Sequence, residues 1–172
     1  GDIKTLITFE KIFFYKTVVT VPYKKKDKVI SSSLIRKTIN KGRVEGAEKL
    51  LGRLWCIEGK VIKGAQRGRK IGFPTCNIKL LSYIQPKLGV YSVWVHFDNL
   101  KKRGIANIGY RPTFNGKSLL LEVNIFGIKK NLYKKALKIS FIKFIRAEKK
   151  FKNINQLKDQ IKKDIVKAKN NV

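Results

Sequence analysis

Methionine is missing from this 172-residue chain, histidine occurs once and cysteine twice. Each scarcity removes a class of chemistry. Two cysteines, Cys56 and Cys76, are too few for a disulfide framework or a thiolate zinc site. One histidine cannot build a two-histidine metal site or a histidine-rich nucleotidyl-transfer motif. His96 sits with Trp94 in the alternating stretch "VYSVWVHFD", which marks it as structural. There is no Gly-x-Ser-x-Gly elbow, no Gly-x4-Gly-Lys-Ser/Thr loop and no Gly-x-Gly-x-x-Gly turn. No apolar stretch approaches the roughly 20 residues of a membrane-spanning helix. The start, "GDIKTLITF", lacks the basic-then-apolar order of a secretory signal, so a cytoplasmic chain with no membrane partner is expected. A first residue other than Met points to a fragment or a trimmed product.

Acidic residues are also scarce, 11 against 40 Lys and Arg, which leaves a net charge of +29. An excess of that size suits nucleic acid, anionic lipid or a phosphorylated substrate. It is carried mostly by Lys spread over the whole length among many Ile and Asn, a pattern that compositional bias also produces. The hydrophobic share of 43% is ordinary and lets a core form.

What is present changes period along the chain. "IFFYKTVVTV" reads as a strand, ended by Pro22 and the solvated run "KKKDK". "SSSLIRKTINKGRVEGAEKLLG" reads as two short helices, with caps among Ser31 to Ser33 and a break at Gly42. Their apolar stripes are Leu34, Ile35 and Ile39, then Val44, Ala47, Leu50 and Leu51. From Trp55 the period becomes two. "WCIEGKVIKG", "GVYSVWVHFD", "RGIANIG", "SLLLEVNIFG" and "ALKISFIKFI" read as strands separated by turns such as "DNLKKRG" and "RPTFNGKS". The tail "NINQLKDQIKKDIVKAK" returns to helical spacing, with Asn153 as N-cap, Gln156 in capping-box position and a stripe of Leu157, Ile161 and Ile165. The architecture expected is mainly β, a small antiparallel barrel with a C-terminal helix, preceded by an α/β remnant.

Three constellations carry chemistry. In "GKVIKGAQRGRKIGFPTCN", Gly64, Gly68 and Gly72 permit close backbone approach, and Arg67, Arg69 and Lys70 add positive charge. Such a turn is either an anion nest or a glycine-rich hairpin with surface cations. Pro74 then forces Phe73 and its neighbours to run extended, so Thr75 and Asn77 project to one side and Cys76 to the other. A hydroxyl and an amide oxygen are hard donors of the kind Mg²⁺ takes beside substrate phosphates and water. Finally, Leu119, Leu121, Val123 and Ile125 share one face of a strand, and Leu120, Glu122, Asn124 and Phe126 the other. Glu122 is either a surface partner of a lysine or a general base in a partly apolar mouth.

Taken in order, these segments resemble the riboflavin kinase module, the C-terminal half of bacterial bifunctional riboflavin kinase/FAD synthetases. The resemblance runs from residue 54 to 168 through "GKVIKGAQRGRKIGFPTCN", "PKLGVYSV", "GIANIGYRPTF", "LEVNIF" and "FIRAEKKF". It implies a six-stranded Greek-key barrel over residues 54–172 that moves the γ-phosphoryl of ATP to the ribityl 5′-hydroxyl of riboflavin, giving FMN and ADP. Thr75 and Asn77 would bind Mg²⁺ and the nucleotide phosphates, and Gly64, Arg67, Gly68, Lys70 and Gly72 would belong to the ATP loop. Glu122 would be the catalytic base, and Arg146, Glu148 and Phe151 would form the flavin side. Cys76 stands where the family has Ala, and Gly127, Asn131 and Lys134 depart from its acidic and glycine positions. "VISSSLIRKTINKGRVEGAEKLLGR" resembles the end of the synthetase half, so residues 1–53 are expected to be the remnant of a nucleotidyltransferase-like domain. Its His-x-Gly-His motif is absent, and FMN adenylylation by this chain alone is not expected. A basic barrel that binds nucleic acid, or an inactive remnant of the bifunctional enzyme, are the competing readings. Oligomeric state is not encoded in any recognisable pattern.

Overall fold

The alternating segments after Trp55 fold into a nearly closed barrel. The computed structural model describes residues 2–25, 28–80, 82–113, 116–128 and 130–170. The chain divides into two units, residues 1–31 and 32–172.

In the first unit, α1 (Ile3–Phe13) is capped by Asp2, whose carboxylate accepts from the Thr5 backbone N–H at 2.9 Å. The helix stops at Phe14 in the left-handed region, φ +53°. Two short strands, β1 (Lys24–Lys25) and β2 (Lys28–Val29), follow. The strand expected at "IFFYKTVVTV" does not form: its first two residues close α1 and the rest has no regular structure. Local bonds win over β propensity here. The Asp2 cap starts a helix, and Glu10 accepts from the Thr17 N–H at 2.6 Å, folding the apolar run back along it. The "KKKDK" run is centred on Lys26 and Asp27, which lie outside the described residues.

The second unit starts with the two expected helices, α2 (Ser32–Asn40) and α3 (Val44–Leu51), joined through Gly42 at φ +75°. Ile39, Val44 and Ala47 are buried in the same apolar cluster as the barrel strands. The structural division therefore falls at 31/32, before these helices, and differs from the boundary expected at 53/54.

The barrel strands are β3 (Cys56–Lys60), β4 (Cys76–Lys79), β5 (Gly89–Phe97), β6 (Leu100–Thr113), β7 (Gly116–Ile125) and β8 (Ala136–Ala147). A four-residue helix, α4 (Arg67–Lys70), interrupts the connection from β3 to β4. The sheet order is β3-β8-β5-β6-β7-β4, antiparallel at every pairing. Strand β8 returns beside β5 after the β5-β6-β7 meander, which is the Greek-key arrangement. The two edges approach each other where Ile62, just past β3, donates to the Asn77 carbonyl of β4 at 2.9 Å. Two residues of the "RPTFNGKS" turn, Phe114 and Asn115, lie outside the described ones.

The interior is apolar, as the period-two pattern requires. Ile57, Ile78, Val93, Val95, Ile108, Leu121, Val123, Ile139 and Phe141 are wholly buried, each stabilising the fold by about 1.5–3 kcal/mol. Tyr91 joins them, edge-on to Phe141 and Phe144, with its hydroxyl donating to the Lys87 carbonyl.

The last helix, α5 (Ile154–Asn170), begins as expected: Asn153 accepts from the Gln156 N–H at 2.9 Å. It lies on the outside of the barrel. Ile161, Ile165 and Ala168 pack with Val90 and Ile105. Its one buried charge, Asp164, accepts from Arg146 Nε at 2.9 Å and Nη2 at 2.7 Å, and from Gln160 at 2.9 Å. Asp164 is 1% exposed. Substituting Asp164→Ala leaves a partly buried guanidinium without its counter-charge, which costs about 3 kcal/mol or more. Urea unfolding of the variant is expected to show that loss, with the midpoint lowered in proportion.

Candidate active site

Residues opposite one another in an antiparallel pair share a face of the sheet. Asn77 of β4 pairs with Glu122 of β7, Glu122 with Asn107 of β6, Asn107 with Val90 of β5, and Val90 with Arg146 of β8. These five side chains form one row across the outside of the barrel, and all five line a cleft of about 600 Å³. That size is within the range of small-molecule sites.

The connection from β3 to β4, with Lys63, Gly64, Gln66, Arg67 and Gly68, borders one side of the cleft. Phe151, Leu157 and Ile161 border the other. Gly64 comes so close to Asn77 that a Cβ at this position would sit 2.3 Å from the Asn77 amide nitrogen. Only glycine lets the loop approach the row this closely. The extended entry to β4 is pinned by Asn124, which donates to the Pro74 carbonyl at 2.7 Å. Thr75 and Asn77 therefore face the cleft together, as the proline and the period-two spacing predict, while Cys76 packs against the barrel core. Burial pushes the Cys76 thiol above its ordinary pKa, which keeps it an inert thiol.

Glu122 faces the cleft with a partner of a different kind from the lysine considered above. Arg111 Nη2 donates to Glu122 Oε2 at 2.9 Å, and Arg111 Nη1 donates to Glu148 Oε1 at 3.3 Å. Burial works against the Arg111 charge, but the hydrogen bonds and charges of Glu122 and Glu148 outweigh it and raise its pKa. Asn107 joins them. With its amide turned so that oxygen meets a donor, it accepts from Arg111 Nη2 and donates to the Gly89 carbonyl at 3.3 Å.

Arg146 reaches the row by a bulge. Tyr91 pairs with Phe144 and Val90 with Arg146, so Ile145 has no partner. Phe144 turns inward, Ile145 packs on the outer cluster, and Arg146 faces the cleft. Bulges of this kind re-aim side chains beside sites. The guanidinium also lies 5.8 Å from the Phe151 ring.

Of the residues singled out in the sequence, Gly64, Arg67, Gly68, Thr75, Asn77, Glu122, Arg146, Glu148 and Phe151 all line this cleft. Lys70 and Gly72 are exposed and lie outside the lining. His96 is remote from the row, opposite Lys101 and Lys138. Burial, then the charges of those two lysines, lowers its pKa. Asn107, Arg111, Asn124 and Asp164 were not singled out. Asn107 and Arg111 do stand inside "GIANIGYRPTF", four residues apart and so on one face of β6. That shared parity is the signal that marks them.

Among the described residues no group of three or more His, Cys, Asp and Glu side chains could hold a metal ion. The donors on offer for one are the neutral oxygens of Thr75 and Asn77. That set fits a hard cation which keeps waters and shares phosphate oxygens, and it does not fit a closed protein cage.

Comparison with known proteins gives a family. The riboflavin kinase (Flavokinase) family model matches residues 51–172. The bifunctional riboflavin kinase/FMN adenylyltransferase of Bacillus subtilis (strain 168) is 47% identical over 142 residues, 80% of this chain and 45% of the relative. The protein of the same description from Buchnera aphidicola subsp. Schizaphis graminum is 42% identical over 170 residues, 96% of this chain and 54% of its own length. The chain thus spans about half the length of the curated relatives it matches. Among solved structures, a Streptococcus pneumoniae protein described as a macrolide-efflux protein has a TM-score of 0.81 at 36% identity, covering 94% of this chain and 54% of its own. Among the described residues of the present chain no helix is long and apolar enough to cross a membrane. The riboflavin kinase of Trypanosoma brucei has a TM-score of 0.51 at 26% identity, covering 66% of this chain and 74% of its own. With a family model spanning more than half its residues and its glycine loop, Pro-Thr-Cys-Asn entry and Glu122 strand all gathered on one cleft, the chain belongs to the riboflavin kinase family.

Proposed function

We infer that the chain phosphorylates riboflavin at the ribityl 5′-hydroxyl with ATP, giving FMN and ADP. The observation that carries this reading is the row in which Glu122 lies in register between two neutral amides, Asn77 and Asn107, beside Thr75 and beneath the glycine loop. Phosphoryl transfer asks a protein mainly for positioning and charge neutralisation. The Gly64–Gly72 loop supplies backbone N–H groups and the Arg67 cation for the phosphates, and Lys70 adds charge at its exposed rim. Thr75 and Asn77 would hold Mg²⁺ against the phosphate oxygens. When bound, that ion neutralises charge on the nucleotide phosphates. Arg146, Glu148 and Phe151, with the apolar faces of Leu157 and Ile161, form the wall suited to a flat heteroaromatic substrate.

In the reaction Glu122 accepts the hydroxyl proton as the ribityl oxygen bonds to the γ-phosphorus. The bond from that phosphorus to the β–γ bridging oxygen breaks, and its electron pair leaves with ADP. We place residues 1–53 as the end of a nucleotidyltransferase-like domain, on the strength of relatives that match nearly the whole chain and carry FMN adenylyltransferase in their description. FAD formation is not proposed for this chain, because His96 is its one histidine.

Chromatography of the products formed from riboflavin, ATP and Mg²⁺ is expected to show FMN and no FAD. Glu122→Gln should lower kcat on the order of 10²- to 10⁴-fold, the usual worth of a general base; activity within a factor of a few of the parent would remove Glu122 from that role. Gly64→Ala should displace the Asn77 amide and cost roughly 10- to 100-fold in kcat/KM for ATP, visible in initial rates at varied ATP. An unchanged value would detach the loop from the site.

A further inference from the structure

Arg111 stands between two carboxylates, and no motif on the chain assigns it a task. It engages Glu122 Oε2 through Nη2 and Glu148 Oε1 through Nη1, so each arm of the fork holds a different strand or segment. Asn107 fixes the fork from below by accepting from Nη2. Stability alone is a poor reason for this arrangement. The three side chains are 29%, 28% and 37% exposed, and ion pairs at such positions contribute about 0–1 kcal/mol. Yet the surroundings are shaped to admit it. A Cβ on Gly109 would sit 2.1 Å from Glu148 Oε1 and 2.8 Å from Arg111 Nη1, so this point of β6 is left bare for the bridge.

We propose that Arg111 is a positioning residue for the phosphoryl transfer: it holds Oε2 of Glu122, turns Oε1 toward the reacting hydroxyl, and shares its grip with Glu148 on the flavin-side segment. This rests on the kinase reading above. Arg111 touches neither reacting atom in this scheme and acts through Glu122. Because one guanidinium serves both carboxylates, whatever engages Glu148 alters the hold on Glu122. The base is thereby linked to occupancy of the flavin wall.

The test is steady-state FMN formation by the full chain and by Arg111→Met, Arg111→Lys, Glu148→Gln and the Arg111→Met/Glu148→Gln double variant, each with its melting temperature. Arg111→Met should lower kcat on the order of 100-fold, the loss typical of a misplaced group, and change KM for riboflavin and ATP by less than about threefold. Arg111→Lys should recover part of that loss, since it keeps the charge but not the fork. Glu148→Gln should lower kcat in the parent and lower it by a clearly smaller factor in the Arg111→Met background, while its effect on KM for riboflavin is the same in both, the signature of groups coupled through Arg111. A kcat within about twofold of the parent for Arg111→Met, an Arg111→Met loss carried by KM, or kcat losses of Arg111→Met and Glu148→Gln that simply multiply would each overturn the proposal. If Arg111→Met does not fold, Arg111→Lys and Glu148→Gln decide it by the same criteria. A second readout needs no turnover. The Glu122 carboxyl ¹³C resonance of the ligand-free protein should move on Glu148→Gln, but not when that change is made in the Arg111→Met background. A folded parent that makes no FMN sinks the kinase reading and the positioning role with it. The resonance then still reports whether the bridge exists.

Discussion

A sheet that closes on itself must fill its inside with side chains, and at six strands nothing is left inside for a ligand. Every polar group this chain needs for chemistry is therefore confined to the outer face, where it must be walled in by something other than the sheet. Two insertions do this. The 61–75 connection rises on one side, and the 148–153 segment with α5 on the other. The site is thus a trench on a convex surface, and its floor is the antiparallel register itself. Asn107 and Glu122 come from consecutive strands and Asn77 from one far upstream, yet pairing alone sets all three side by side.

Attachment of the second wall depends on one polar anchor as well as on packing. Ile161, Ile165 and Ala168 give α5 an apolar seat on Val90 and Ile105. The Arg146–Asp164 pair fixes its rotation, because both nitrogens of one edge of the guanidinium meet the same carboxylate. Arg146 thereby has two duties. It lines the cleft and holds the helix that closes it, so this wall of the cleft and the stability of the C-terminal helix are physically one feature.

Much of this was legible in the sequence because period two is a local property. The alternation in "SLLLEVNIFG" put Glu122 on one face with Leu120, Asn124 and Phe126 without any structure, and the extended entry at Pro74 set Thr75 and Asn77 together on one side. The resemblance then added an expectation that alternation cannot give, namely that these residues gather together, and in the structure they line one cleft. Register between strands was not legible, since it depends on pairings made some 45 residues away. Nor were the two unpaired residues, Ile142 and Ile145, which turn Phe144 inward and return Arg146 to the outer face, and which no composition rule announces. The segment at 12–21 was misjudged for the opposite reason. Its Phe and Val residues favour a strand in general, but the Asp2 cap and the Glu10–Thr17 bond, both local, settle the matter otherwise. That α2 and α3 pack with the barrel was not legible either, because helical spacing shows which face of each is apolar, but not which neighbour covers it.

The unpaired Ile145 has a consequence of its own. Strand β8 holds a second unpaired residue, Ile142, so Lys143 and Phe144 alone are half a period out of step, and from Arg146 the faces are counted again as they were up to Phe141. Removing a single residue there would leave hydrophobicity, charge and strand propensity almost untouched, but it would exchange inside for outside for everything that follows up to the next turn. Arg146 would then be carried toward the barrel core. At this point of β8 the fold therefore depends on the number of residues more than on their identity.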